Sequence, residues 1–239
     1  MKTEKREQRE NSEFTQILKV ATEKFESDPR AQTGEVKYIS FDDGPTEVHD
    51  VILTSEENEA VTNFKRIKDL RNQHGGSQFS SFHNHRYGKE EIEHGMGSIP
   101  SRIDFLIFLF DDAEKNMIIA QQDKETGKVV GYYVFSKTES TPKANCSLSD
   151  ELSGCATKEE IEKKSEEVLI AKFRDSTFDE LTWDYKLKAF GEFSHNKPPA
   201  ERQEAIDELL QKANLDVKYV PLEGYEYVSG TGFFPKQNG

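Results

Sequence analysis

A chain of 239 residues is long enough for one domain of ordinary size with an extension, or for two small ones. Its formal net charge of −13 argues against non-specific binding to nucleic acid or to an anionic membrane. With 34% hydrophobic and 32% charged residues, it must fold around a few compact apolar segments and leave long solvated faces. Residues 1–11 are mostly charged or polar and are expected to be disordered, and no apolar stretch stands behind them to suggest a signal peptide. No apolar run of about 18 residues occurs to span a membrane, so a cytoplasmic protein is the expectation.

Asn11 or Ser12 can cap a helix on which Phe14, Ile17, Leu18, Ala21 and Phe25 share a face, and Asp28-Pro29 stops it. Glu35–Phe41 alternates and reads as a strand, Asp42-Asp43-Gly44-Pro45 as a turn, and Val48–Leu53 as a second arm of a hairpin. Thr54 and Glu57 form a capping box, which predicts a helix carrying Ala60, Val61, Phe64, Ile67 and Leu70 up to Gly75-Gly76. Phe79–His83 is a short strand, Arg86–Pro100 a loop rich in Gly and Glu, and Ser101 starts a helix that runs to about Asp112. Asn116–Gln121 and Val129–Ser136 form a hairpin around Lys124–Lys128.

Composition then shifts. Residues 140–156 are rich in Ser and Thr and read as a linker. It holds Cys146, and Cys155 near its end; their spacing fits neither a zinc knuckle nor a redox pair, leaving free thiols or a disulfide. Beyond it, a helix opens at the capping box of Thr157 and Glu160, a second covers Phe178–Phe193 with Trp183 as core, and a third opens at Pro198-Pro199. Short strands at Val217–Val220 and Tyr225–Val228 and a loose tail from Gly230 complete a mainly helical extension, 157–239, behind a first unit at 12–139.

The chemistry is concentrated in two pieces of the first unit. In extended chain, residues i and i+2 point to one side, so His83 and His85 can reach one cation. Ser101-x-x-Asp104 then brings a carboxylate into the first turn of the next helix. Either piece alone is ordinary: many His-x-His pairs bind nothing, and Ser with an acid three residues on is a common helix start. Together, two imidazoles, a carboxylate and an open water position make the layout of a catalytic zinc.

In these residues the chain resembles the JAMM (MPN+/JAB) zinc metallopeptidases, whose pattern is an upstream Glu, His-x-His, a loop and Ser-x-x-Asp. The wording His83-Asn84-His85 with Pro100-Ser101-Arg102-Ile103-Asp104 is closest to the RadC-like branch. The resemblance covers roughly residues 12–137 and implies an α/β (α+β) fold, a curved mixed β-sheet flanked by helices. It implies Zn2+ on His83, His85 and Asp104, Glu35 as general base with Glu47 as a weaker rival, and Ser101 as a donor to the developing oxyanion. The activity it implies is hydrolysis of a peptide or isopeptide bond in a protein partner, such as removal of a ubiquitin-like modifier. The chain departs from the pattern in two places. Arg86 stands where a Pro is usual, and the fifteen residues Arg86–Pro100 exceed the family's spacing. Glu90, Glu91, Glu93 and His94 in that loop form a solvated acidic surface, a flap, or a source of a spare ligand. Two other readings are a non-enzymatic MPN-type scaffold and a DNA- or mobile-element-associated RadC-like protein. His49, His74 and His195 have no partner pattern and are expected to be structural.

Overall fold

The computed structural model describes residues 2–41, 47–56, 59–93, 102–172 and 198–236. Its centre is a mixed six-stranded sheet. In chain order its strands are β1 (Lys37–Phe41), β2 (His49–Asp50), β5 (Phe79–Tyr87), β6 (Glu114–Asp123), β7 (Val129–Lys137) and β8 (Leu215–Pro221), and their spatial order is β2-β1-β5-β6-β7-β8. All neighbours are antiparallel except β5 and β6, which are parallel and joined through α3 (Lys89–Glu93) and α4 (Arg102–Phe110). A parallel pair needs such a crossover, and this one delivers both halves of the motif to the same end of the sheet.

Period-two alternation gives each strand one side chain per face. On one face Tyr38, Phe82, Ile118, Tyr132 and Val134 pack with Leu18, Ala21 and Phe25 of α1 (Lys2–Ser27). On the other, Ile39, Phe79, Met117, Ile119 and Phe135 pack with Phe105, Phe108 and Leu109 of α4 and with Phe64, Ile67 and Leu70 of α2 (Phe64–Gln73). α1 begins at Lys2, so its backbone runs through the stretch expected to be disordered; the Lys, Glu, Arg and Gln residues there are good helix formers.

The capping box at Thr54 is not a helix start. β3 (Ile52–Glu56) pairs antiparallel with β4 (Glu59–Thr62), and the helix begins only at Phe64, where the Asn63 side chain accepts from the Arg66 amide at 3.0 Å. The β-branched residues Ile52, Thr54, Val61 and Thr62 favour the pleated form over the helix that the box alone suggests.

The expected linker is packed. Ala144, Cys146 and Leu148 alternate into the core, and Leu152 follows them from the end of α5 (Leu148–Glu151). Asp112 Oδ1 accepts from the Ala144 amide at 3.1 Å, and Asp111 Oδ2 accepts from the Ser149 amide at 3.0 Å. Both cysteines are free thiols. After α6 (Lys158–Lys172), α7 (Pro199–Lys212) places Leu209 and Leu210 in the same core as Phe79 and Phe135, and β8 pairs with β7 from Gly131 to Lys137. Residues 230–236 of the expected loose tail are also ordered. β9 (Tyr225–Val228) and β10 (Gly232–Pro235) pair, and Phe233 lies over Gly131, where a Cβ would come within 2.5 Å of its ring. The helix expected at 178–193, with Trp183, and the turn at 42–45 lie outside the described residues. Among those described, no helix is long and apolar enough to cross a membrane.

Candidate metal centre

β5 is paired on both sides, with β1 at one edge and β6 at the other, so its backbone is fixed by two ladders. The histidines lie within this strand rather than at its end, because the pairing runs on to Tyr87. Phe79, Ser81, His83, His85 and Tyr87 alternate onto the face that α4 covers. The first turn of α4 supplies Asp104.

The three side chains converge. Asp104 Oδ2 is 3.5 Å from His83 Nε2 and 3.4 Å from His85 Nε2. One donor atom from each of the three lies within 4.8 Å of the others. Two ligand atoms held tetrahedrally at about 2.1 Å from one zinc-sized ion would be about 3.4 Å apart. The spacing therefore suits a shared ion better than direct hydrogen bonds.

The donors themselves support this fit. His83 is 3% exposed, and both its ring nitrogens are buried with no hydrogen-bond partner. An imidazole so placed costs about 1–3 kcal/mol, and a cation at Nε2 would remove much of that cost. Burial, together with Lys37 and His85, holds its pKa down against the pull of Asp104, so it is kept as the neutral ligand form. For His85, burial also pushes down, but the carboxylates of Asp104 and Glu35 outweigh it and the pKa is raised. Asp104 is driven up by burial and held well below the usual carboxylate range by the two histidines, so it is an anion.

His85 has a second partner. Its Nδ1 is 3.0 Å from the Tyr87 hydroxyl, which leaves Nε2 for Asp104 and a metal. Burial, reinforced by the charges of Glu35, Asp104 and Glu91, raises the Tyr87 pKa, so the phenol stays protonated. Reading the alternation two residues past His85 would have found this tyrosine in the sequence. We expect Tyr87→Phe to weaken metal binding by about 10–100-fold without changing the circular dichroism spectrum, as measured by chelator competition.

Glu35 precedes β1, and its Oε1 is 3.9 Å from His85 Nε2. Glu47, its rival, is exposed, and its charge acts on His49. Ser101 and His94 lie outside the described residues, as does His195. Glu91 does not point to a ligand role, since its Oε2 accepts from the Gly88 amide at 2.6 Å, at the start of α3. His74 stacks on Phe41 with ring centres 4.1 Å apart, and His49 meets it edge-on. Below the triad, the Ser81 hydroxyl donates to buried Glu114, and Lys37 stands opposite His83 in the ladder. Neither Lys37 nor Glu114 is marked by any sequence pattern. No protein family, curated protein or solved structure was found to match this chain.

Proposed function

We propose that the chain is a zinc-dependent hydrolase of peptide or isopeptide bonds, built on a JAMM/MPN-like fold. The observation that carries this reading is the convergence of His83, His85 and Asp104 around orphaned imidazole nitrogens, with the Glu35 carboxylate beside them. Two nitrogens and one carboxylate oxygen with a fourth position open is a donor set suited to catalytic zinc. When bound, zinc supplies Lewis acidity, which acidifies water and polarises a carbonyl.

The residues around it take the remaining tasks. Asp104, on a helix packed into the core through Phe105 and Phe108, holds one ligand oxygen in place. Tyr87 fixes the ring of His85. Glu35 accepts the proton of the attacking water and returns it to the leaving amine. Ser101, three residues before Asp104, donates to the oxyanion that forms at the attacked carbonyl. The acid Glu90 on the exposed side of α3 favours a basic surface around a target lysine. A ubiquitin-like protein with an extended tail suits such a site.

The test is metal content followed by cleavage. Purified protein is expected to hold about one equivalent of zinc and to cleave a lysine isopeptide conjugate of a ubiquitin-like protein, with activity lost to chelator and restored by zinc. Protein that binds no zinc would exclude the enzyme and favour the scaffold reading. Zinc-loaded protein that cleaves neither isopeptide nor peptide bonds would also refute the proposal.

A further inference from the structure

The His-Asn-His motif contains a residue that the metal does not use. Asn84 points to the opposite face of β5 from the histidines, is fully buried, and has its amide saturated. Its Oδ1 accepts from the Val36 amide at 2.7 Å. Its Nδ2 donates to Gln122 Oε1 at 2.7 Å, to the Gly34 carbonyl at 3.1 Å and to the Ala31 carbonyl at 3.3 Å. Gln122 is itself oriented, since its Nε2 donates to the Gly127 carbonyl at 2.7 Å. A flip of the Asn84 amide would set its oxygen against three acceptors, so only one orientation fits.

The partners of Asn84 flank Glu35 on both sides. The ladder between β1 and β5 has its last pair at Lys37 and His83. Beyond that pair the Val36 amide turns to the Asn84 side chain. Continued in register, Glu35 would fall opposite His85, and its Oε1 is indeed 3.9 Å from His85 Nε2. The segment carrying the proposed base is therefore tied to the ligand strand at the residue between the two ligands.

We propose that Asn84 is a positioning residue, whose side-chain amide sets the distance between Glu35 and the metal centre. The inference rests on Glu35 as the base of the function proposed above. It gives the middle letter of the motif a role: the same three-residue segment fixes two ligands on one face and the base from the other.

The test uses cobalt(II) as a visible probe of the metal site, at one fixed pH, together with turnover of a lysine isopeptide conjugate. Four proteins are compared: wild type, Glu35→Gln, Asn84→Ala and the double variant. Loss of the Glu35 carboxylate is expected to change the cobalt absorption bands. Asn84→Ala is expected to bind cobalt at the same stoichiometry, to reproduce most of that change, and to lower kcat at least tenfold with little effect on KM. In the double variant neither quantity should move further than in Glu35→Gln, because both substitutions act on one group. Should Asn84→Ala not fold, Asn84→Ser, which retains a buried hydroxyl but not the reach to Val36, takes its place. A wild-type cobalt spectrum and kcat in the folded Asn84 variant would overturn the inference, as would effects that add in full to those of Glu35→Gln. If Glu35→Gln itself changes neither spectrum nor turnover, the fault lies with Glu35 as the base, and the role of Asn84 falls with it.

Discussion

Glu35→Gln is expected to keep the metal and to lose about 10²–10⁴-fold in turnover, the usual contribution of a general base. The substitution preserves the size of the side chain and its capacity to hydrogen-bond, and removes only its ability to take a proton. Glu35 stands 3.9 Å from His85 Nε2 and is not one of the three converging donors, so metal stoichiometry should not change. The measurement is kcat alongside metal content, with wild type treated identically. Retained metal with lost turnover separates the base from the ligands. Full activity would move the base elsewhere, and Glu47, exposed next to β2, would be the next residue to replace.

How far the site could be read from sequence follows from how local each signal is. His83 and His85 share a face because a strand has period two, and the spacing Ser101-x-x-Asp104 reads as a helix start that puts Asp104 in a first turn; both inferences need only a few neighbouring residues. The β6–β7 hairpin was legible for the same reason. β8 was not legible as a sixth strand, because its place depends on pairing with β7 some eighty residues earlier in the chain. Residues 140–156 read as a linker because they are rich in Ser and Thr with few apolar residues, yet Ala144, Cys146 and Leu148 alternate inward while Asp111 and Asp112 receive the backbone amides of Ala144, Cys146 and Ser149. Thr54 and Glu57 satisfied a capping rule that their β-branched surroundings overrode. Asn84 carries no sequence signal of its own, because its meaning lies in contacts to Ala31, Gly34, Val36 and Gln122. Local pattern located the donor atoms; the residues that hold them in place became visible only with long-range contacts.

His83→Leu is expected to have opposite effects on stability with and without metal. In the metal-free protein, His83 buries two ring nitrogens without hydrogen-bond partners, and its charged neighbour Asp104, 3.5 Å from Nε2, keeps His85 at 3.4 Å when His83 is replaced. Leucine has similar volume and no polar atoms, so the variant should match wild type or exceed it by up to about 1–3 kcal/mol, the cost of the unsatisfied group. With metal the order reverses. A ligand that binds only the folded state stabilises it by about 4 kcal/mol at a free concentration 1,000 times its Kd. The variant, left with His85 and Asp104 at 3.4 Å, should lose most of that gain. Urea unfolding of both proteins, once in chelator and once in zinc, gives all four numbers. A His83→Leu protein that zinc stabilises as strongly as wild type would place the metal elsewhere. A variant much less stable than wild type in chelator would mean that His83 is held by protein packing alone. The predicted crossover is the behaviour of a residue whose missing hydrogen-bond partner is a cation, with stability given up in the empty site and recovered when the ion binds.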